Sequence, residues 1–123
     1  MIRVLIAEDE KPARDKLVRW LSELSDLQIV AQCANGIEAA RAIAQARPDV
    51  AFVDIQMPTM SGLEVVAQLD SEDAPLIVFV TAYDEYAIRA FELNAIDYLL
   101  KPYDKERLLE SIVRVRERLA DKS

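Results

Sequence analysis

Five short apolar runs, each followed by an amphipathic stretch, constrain this chain more than any other feature. The runs are "RVLIAED" at 3–9, "LQIVAQCA" at 27–34, "DVAFVD" at 49–54, "APLIVFVT" at 74–81 and "AIDYLL" at 95–100. They lack the strict alternation of a half-exposed strand, so they belong in a sheet covered on both faces. The stretches between and after them carry helical spacing. The first, 11–25, has Pro12 in its first turn and Ala13, Leu17, Leu21 and Leu24 on one face. The second, 36–47, is Ala-rich, with Asn35 as its cap and Pro48 as its stop. Helices follow at 61–70, 84–93 and 104–120, the last with Leu108, Ile112, Val115 and Leu119 at helical intervals. Strands that alternate with helices pair in parallel through right-handed crossovers. The fold expected is therefore α/β, a doubly wound parallel sheet of five strands with five helices.

The length of 123 residues suits one domain over 1–123, with a linker expected to start at about 120–123 in "ADKS". The net charge of −7 argues against this segment tracking a phosphate backbone, and favours a basic partner or a cation. The single cysteine, Cys33, allows no internal disulfide, which suits a reducing cytosol, so a cytoplasmic location is expected. No apolar run reaches membrane-spanning length, and Arg3, Glu8, Asp9 and Glu10 break any signal-peptide pattern. No membrane partner is expected. The chain has no histidine, which excludes a Ser-His-Asp triad, a histidine base and most zinc sites. Chemistry is left to carboxylates, lysine, threonine and a metal.

An open parallel sheet binds ligands beyond the carboxyl ends of its strands. Those ends carry Glu8 and Asp9 after the first run, Asp54 after the third, Thr81 at the fourth, and Lys101-Pro102 after the fifth. Each has a plainer role when taken alone: Glu8 and Asp9 as helix caps, Asp54 in a turn, Thr81 as a strand end, Lys101 in solvent. Their joint placement at one sheet edge points to a site instead. Three carboxylates packed together need a cation, and an oxygen-only donor set selects Mg²⁺. Lys101 adds a fixed positive charge and Thr81 a hydroxyl. Such a set suits a phosphoryl group.

The motifs "LIAEDE", "VDIQMPTMSG", "FVTAY" and "DYLLKPY", in this order, resemble the receiver domain of two-component response regulators. The resemblance runs from Ile2 to about Leu119. The stretch "AYDEYAIRAFELNAIDYLLKPYDKERL" is similar to receivers of LytR/AlgR-type transcription regulators. The resemblance implies a flavodoxin-like strand order of 2-1-3-4-5. It implies that Asp54 accepts a phosphoryl group from a sensor histidine kinase, and that Mg²⁺ is held by Asp9, Asp54 and the backbone carbonyl of Gln56. Glu8 matches the neighbouring acidic position, which reaches the metal through water. Thr81 and Lys101 would each hold a phosphoryl oxygen, and Lys101-Pro102 would be a cis peptide. Thr81 and Tyr98 match the switch pair, with Tyr98 turning inward as Thr81 moves. The face formed by the fourth helix, fifth strand and fifth helix would then control a phosphorylation-dependent homodimer. DNA would be bound only by a C-terminal output domain absent from this chain.

Four other readings compete with this one. A stand-alone receiver or a phosphate-independent interaction module would share the fold, but intact Asp54, Thr81 and Lys101 argue against the second. A Mg²⁺-dependent phosphohydrolase would need a second acid near Asp54, where Gln56 stands. A flavin-binding domain would need a Ser/Thr/Gly-rich phosphate loop, and the chain has only Gly36 and Gly62. The expectation is a phosphoacceptor switch rather than an enzyme acting on a separate substrate.

Overall fold

The computed structural model describes residues 1–70, 72 and 74–122. The elements alternate as expected: β1 (Ile2–Ala7), α1 (Lys11–Ser22), β2 (Leu27–Cys33), α2 (Gly36–Ala46), β3 (Val50–Val53), α3 (Gly62–Ala67), β4 (Leu76–Thr81), α4 (Ala87–Glu92), β5 (Asp97–Leu100) and α5 (Lys105–Lys122). All strands pair in parallel in the order β2-β1-β3-β4-β5. This is the doubly wound sheet the sequence predicts.

The lack of alternation in the strands follows from two cores. Successive side chains of a strand point to opposite faces. Val4 and Ile6 of β1 pack with Leu17 and Leu21 of α1 and with Leu108, Ile112 and Val115 of α5. Leu5 and Ala7 point the other way, into a layer with Ala39 and Ile43 of α2, Val65 of α3 and Ala90 of α4. Both faces are thus apolar, and all four residues of β3 are fully buried.

Helix ends follow local chemistry. Asn35 caps α2 as expected, its side chain accepting from the Glu38 N–H at 2.9 Å. Ser61 and Glu64 form a reciprocal capping box on α3. Several elements are shorter than their patterns. The α1 pattern runs to 25, but the helix stops at Ser22, and Leu24 still packs against the core. The α4 pattern starts at 84, yet the helix starts at Ala87. Residues 84–86 form a turn closed by Ala87 N–H to the Asp84 carbonyl at 3.2 Å, and Tyr86 offers no side-chain cap. Asn94 ends α4 in a left-handed conformation (φ 64°), with Asn94 N–H on the Phe91 carbonyl and Ala95 N–H on the Ala90 carbonyl. Pro75, which lacks an N–H, leaves β4 to start at Leu76. The linker expected at about 120 is helical through Lys122, and Ser123 lies outside the described residues. Among the described residues, no helix is long and apolar enough to cross a membrane.

Candidate phosphoacceptor and metal site

Register builds the site. Ala7 of β1 pairs with Val53 of β3, and the next residues, Glu8 and Asp54, leave the sheet side by side. The Asp54 N–H donates to the Ala7 carbonyl at 2.9 Å, and the Glu8 N–H to the Cys33 carbonyl at 2.9 Å, so both backbones are fixed where their side chains begin to diverge from the sheet. Carboxylate oxygens of Glu8, Asp9 and Asp54 all lie within 4.8 Å of one another. Glu8 and Asp54 are buried, and Asp9 is the more open to solvent. The sequence expectation that these three acids converge is met.

Lys101 reaches the same point from the other side of the sheet. Thr81 pairs with Leu100, and the Lys101 N–H donates to the Thr81 carbonyl at 2.7 Å. The Lys101-Pro102 peptide is cis, as expected. The Lys101 ammonium donates to Glu8 Oε1 at 2.5 Å and to Asp54 Oδ2 at 3.0 Å. Burial pushes the Glu8 carboxyl up to about 7; the Lys101 hydrogen bond opposes this and the Asp54 charge adds to it. Burial alone would lower the Lys101 ammonium, but its bond to Glu8 and the Asp54 charge outweigh that and hold it above its ordinary value. One monocation therefore serves several acids, and Glu8 carries charge only at a cost. An oxygen-only donor set with a deficit of positive charge fits a hard divalent cation such as Mg²⁺.

The remaining expected residues lie around this cluster in different relations to it. Gln56 is two residues past Asp54; its backbone N–H donates to Asp54 Oδ1 at 3.2 Å, and its exposed side chain donates to the Tyr86 hydroxyl at 2.7 Å. Thr81 is fully buried at the end of β4, and its hydroxyl accepts from the Tyr83 N–H at 3.4 Å. It shares the sheet edge with Asp54 but hydrogen-bonds its own loop. Tyr98 is half-buried, and its hydroxyl donates to the Tyr83 carbonyl. Thr81 and Tyr98 thus both tie to Tyr83, in the segment that leads to α4. The rings of Tyr83 and Tyr86 meet edge-on with centroids 6.2 Å apart.

Two features escaped the sequence reading. Tyr86, which bridges Gln56 to the start of α4, stands in a polar segment with nothing to mark it. Asp97 does carry a signal, an acid inside an apolar run like Asp54. It is buried and takes both guanidinium nitrogens of Arg107 (2.9 and 2.7 Å), Arg114 (2.9 Å) and the Ser111 hydroxyl (2.5 Å), which pin β5 to α5. Burial alone would raise the Asp97 carboxyl, but hydrogen bonds from Arg107 and Ser111 bring it down to about 2.

A family model described as "Response regulator receiver domain" matches residues 4–113. The chain is a response regulator receiver domain. Over 117 residues it is 55% identical to the transcriptional regulatory protein BtsR of Escherichia coli (strain K12), a match that covers 95% of this chain and 49% of BtsR. The receiver therefore spans about half the length of the curated relatives it matches. Among solved structures, it resembles the REC domain of AraT, a response regulator from Geobacillus stearothermophilus, with a TM-score of 0.87 and 35% identity over 99% of this chain and 98% of the other. It also resembles a DNA-binding response regulator of the LuxR family from Staphylococcus aureus, with a TM-score of 0.86 and 31% identity over 94% and 98% of the two chains. As a receiver it is a signalling switch in two-component regulation.

Proposed function

We propose that Asp54 is the phosphoacceptor and that a sensor histidine kinase is the donor. The observation that carries this reading is the convergence of Glu8, Asp9 and Asp54 from two adjacent strands, with the Lys101 ammonium paired to Glu8 and Asp54. In the reaction a carboxylate oxygen of Asp54 attacks phosphorus, the bond from phosphorus to the donor imidazole breaks, and an acyl phosphate forms on Asp54. The protein contributes position and charge more than covalent chemistry, because the transition state for phosphoryl transfer is loose. Lys101 moves from its acid partners to a phosphoryl oxygen, and the Thr81 hydroxyl, freed from the Tyr83 N–H, donates to another. A Mg²⁺ ion held by Asp9, Asp54 and the Gln56 carbonyl, with Glu8 behind them, would neutralise charge on the phosphoryl oxygens. The same residues serve the hydrolysis that ends the signal, so the switch catalyses only its own loading and decay.

Movement of Thr81 changes what holds Tyr83, and through it Tyr98 and the start of α4. Two packings of α4 and β5 then exchange populations rather than folds. The surface that reads this out is formed by α4, β5 and α5. Ile88 and Phe91 of α4 are 78% and 80% exposed, and Val113 of α5 is 48% exposed. We infer that this face forms a homodimer on phosphorylation. The chain acts as one receiver domain over 1–123 in the cytoplasm, and is of the LytR/AlgR type. Any DNA contact belongs to an output domain outside this chain, a reading that the likeness to a transcriptional regulatory protein supports.

The test is intact-protein mass after incubation with acetyl phosphate and Mg²⁺. The expected result is a gain of one phosphoryl group that requires Mg²⁺ and is absent in Asp54→Asn. A folded chain that binds Mg²⁺ and gains no mass would overturn the reading in favour of a phosphate-independent interaction module.

A further inference from the structure

The chain has two glycines, Gly36 and Gly62, and neither has a positive φ. Their role is therefore not backbone freedom but the absence of a Cβ. A Cβ on Gly62 would lie 2.2 Å from the Asp54 carbonyl oxygen. A Cβ on Gly36 would lie 2.0 Å from the Met60 carbonyl oxygen and 2.6 Å from its carbonyl carbon. Both glycines press on one segment, the loop of residues 54–61 between β3 and α3, which begins with Asp54.

That loop is under backbone strain. Thr59 holds φ at 69°, in the left-handed region that a β-branched residue strongly disfavours. The first turn of α2 is what restrains it. The Gly36 N–H donates to the Pro58 carbonyl at 3.2 Å, and the Ile37 N–H to the Thr59 hydroxyl at 3.3 Å. These are N–H groups that a helix start leaves without an internal partner. With Asn35 taking the Glu38 N–H, the first turn of α2 has its donors satisfied, two of them by the Asp54 loop.

We propose that Gly36 and Thr59 are positioning residues for the phosphoacceptor loop. The first turn of α2 approaches the loop closely because residue 36 has no Cβ, and it is tied there by the Thr59 hydroxyl. Together these contacts fix the segment that aims the Asp54 carboxylate and the Gln56 carbonyl. Neither residue touches the reacting atoms; both act through the loop. This proposal rests on the Mg²⁺-dependent acceptor reading above.

The experiment compares the rate of phosphoryl mass gain from acetyl phosphate across a Mg²⁺ series. The chains are wild type, Gly36→Ala, Thr59→Ala and Thr59→Ser, each checked for cooperative melting. Gly36→Ala and Thr59→Ala are expected to raise the Mg²⁺ concentration for half-maximal rate by about tenfold, the scale on which supports of metal ligands act. Their maximal rates at saturating Mg²⁺ are expected to stay near wild type. Thr59→Ser keeps the hydroxyl and is expected to keep the wild-type half-point. A fifth chain, Ile112→Val in the opposite core, is expected to lower the melting temperature and to leave the half-point unmoved, which separates positioning from general stability. If Gly36→Ala fails to fold, the Thr59→Ala and Thr59→Ser pair decides. Folded variants with the wild-type half-point, beside a wild type that labels normally, would overturn this proposal alone. A wild type that takes no phosphoryl group would overturn the acceptor reading and this proposal with it.

Discussion

The Lys101 ammonium lies 3.0 Å from Asp54 Oδ2, although 47 residues separate the two in sequence. It pairs with Glu8 and Asp54, and on the proposed reading it competes with a divalent ion for Asp54. Lys101→Ala is therefore expected to separate binding from chemistry. Removing a unit charge within a few ångströms of a metal site should tighten Mg²⁺ binding by roughly tenfold. Labelling by acetyl phosphate should fall by about a hundredfold, because charge on the transferring group loses its fixed partner. Mg²⁺ titration followed by melting temperature, beside mass-based labelling rates, checks both directions. Weaker Mg²⁺ binding in the variant would show that Lys101 organises the site rather than competing in it.

Asp97 makes stability depend on pH in a defined window. Its carboxyl is held at about 2 against an ordinary 3.8, so it is depressed on folding. Stability from this group is fully present above the unfolded value and is lost as pH falls from about 4 through about 2. Arg107 and Arg114 are one-third and half exposed, so solvent screens the pairs, and the contribution is at most roughly 2 kcal/mol. Asp97→Asn is expected to destabilise by about 1–2 kcal/mol at pH 7, and the difference should shrink toward zero near pH 2. Urea denaturation at several pH values measures it. A difference that stays constant with pH would assign the effect to shape rather than charge.

The Gln56 to Tyr86 hydrogen bond joins the acceptor loop to the residue before α4. Tyr86→Phe removes the hydroxyl and keeps the ring. Because the bond is exposed, global stability should change by no more than about 1 kcal/mol. Amide exchange over residues 87–92 should accelerate, while exchange in β3 and β4 should not, since local opening governs exposed short elements. Exchange read by mass spectrometry over these segments distinguishes a local tie from a neutral surface contact.

On the proposed reading, the exposed side chains of α4 serve assembly and not phosphorylation. Phe91 packs against little within the chain, so Phe91→Glu should alter monomer stability by about 0.5 kcal/mol or less. It should leave labelling of Asp54 unchanged and abolish the phosphorylation-dependent dimer in sedimentation velocity. A dimer that persists would place the interface elsewhere.

Much of this was legible in the sequence, and the reasons are physical. Glu8, Asp9, Asp54 and Lys101 could be placed together because strand register is rigid: once β1 neighbours β3, the residues after Ala7 and Val53 must meet. The central strands β1, β3 and β4 were legible because both faces are largely buried and they read as continuous apolar runs, whereas the edge strands β2 and β5 are less covered. Element ends were less legible. The amphipathic pattern of 84–93 continues smoothly across Asp84 to Tyr86, yet three residues are spent in a turn, a matter of hydrogen-bond closure rather than hydropathy. Side-chain partners were least legible. Tyr86 meets Gln56 across 30 residues because of where two loops pass, which no local pattern encodes. The neighbours of Asp97 lie on α5 at 107, 111 and 114, and only the observed packing of that helix against β5 makes them one group.

Asp54, the proposed acceptor, directly follows β3, a strand paired on both sides and fully buried along its length. The element proposed to carry the message outward, α4, has six residues and buries only Ala90. On the proposed reading, the molecule is best buried where the covalent bond would form and least buried where a partner would read it. On that reading, a small local perturbation at the buried end would be felt as a change in how often the exposed end opens. Sensitivity in such a device is set less by the strength of the chemical event than by how little work α4 needs to change state.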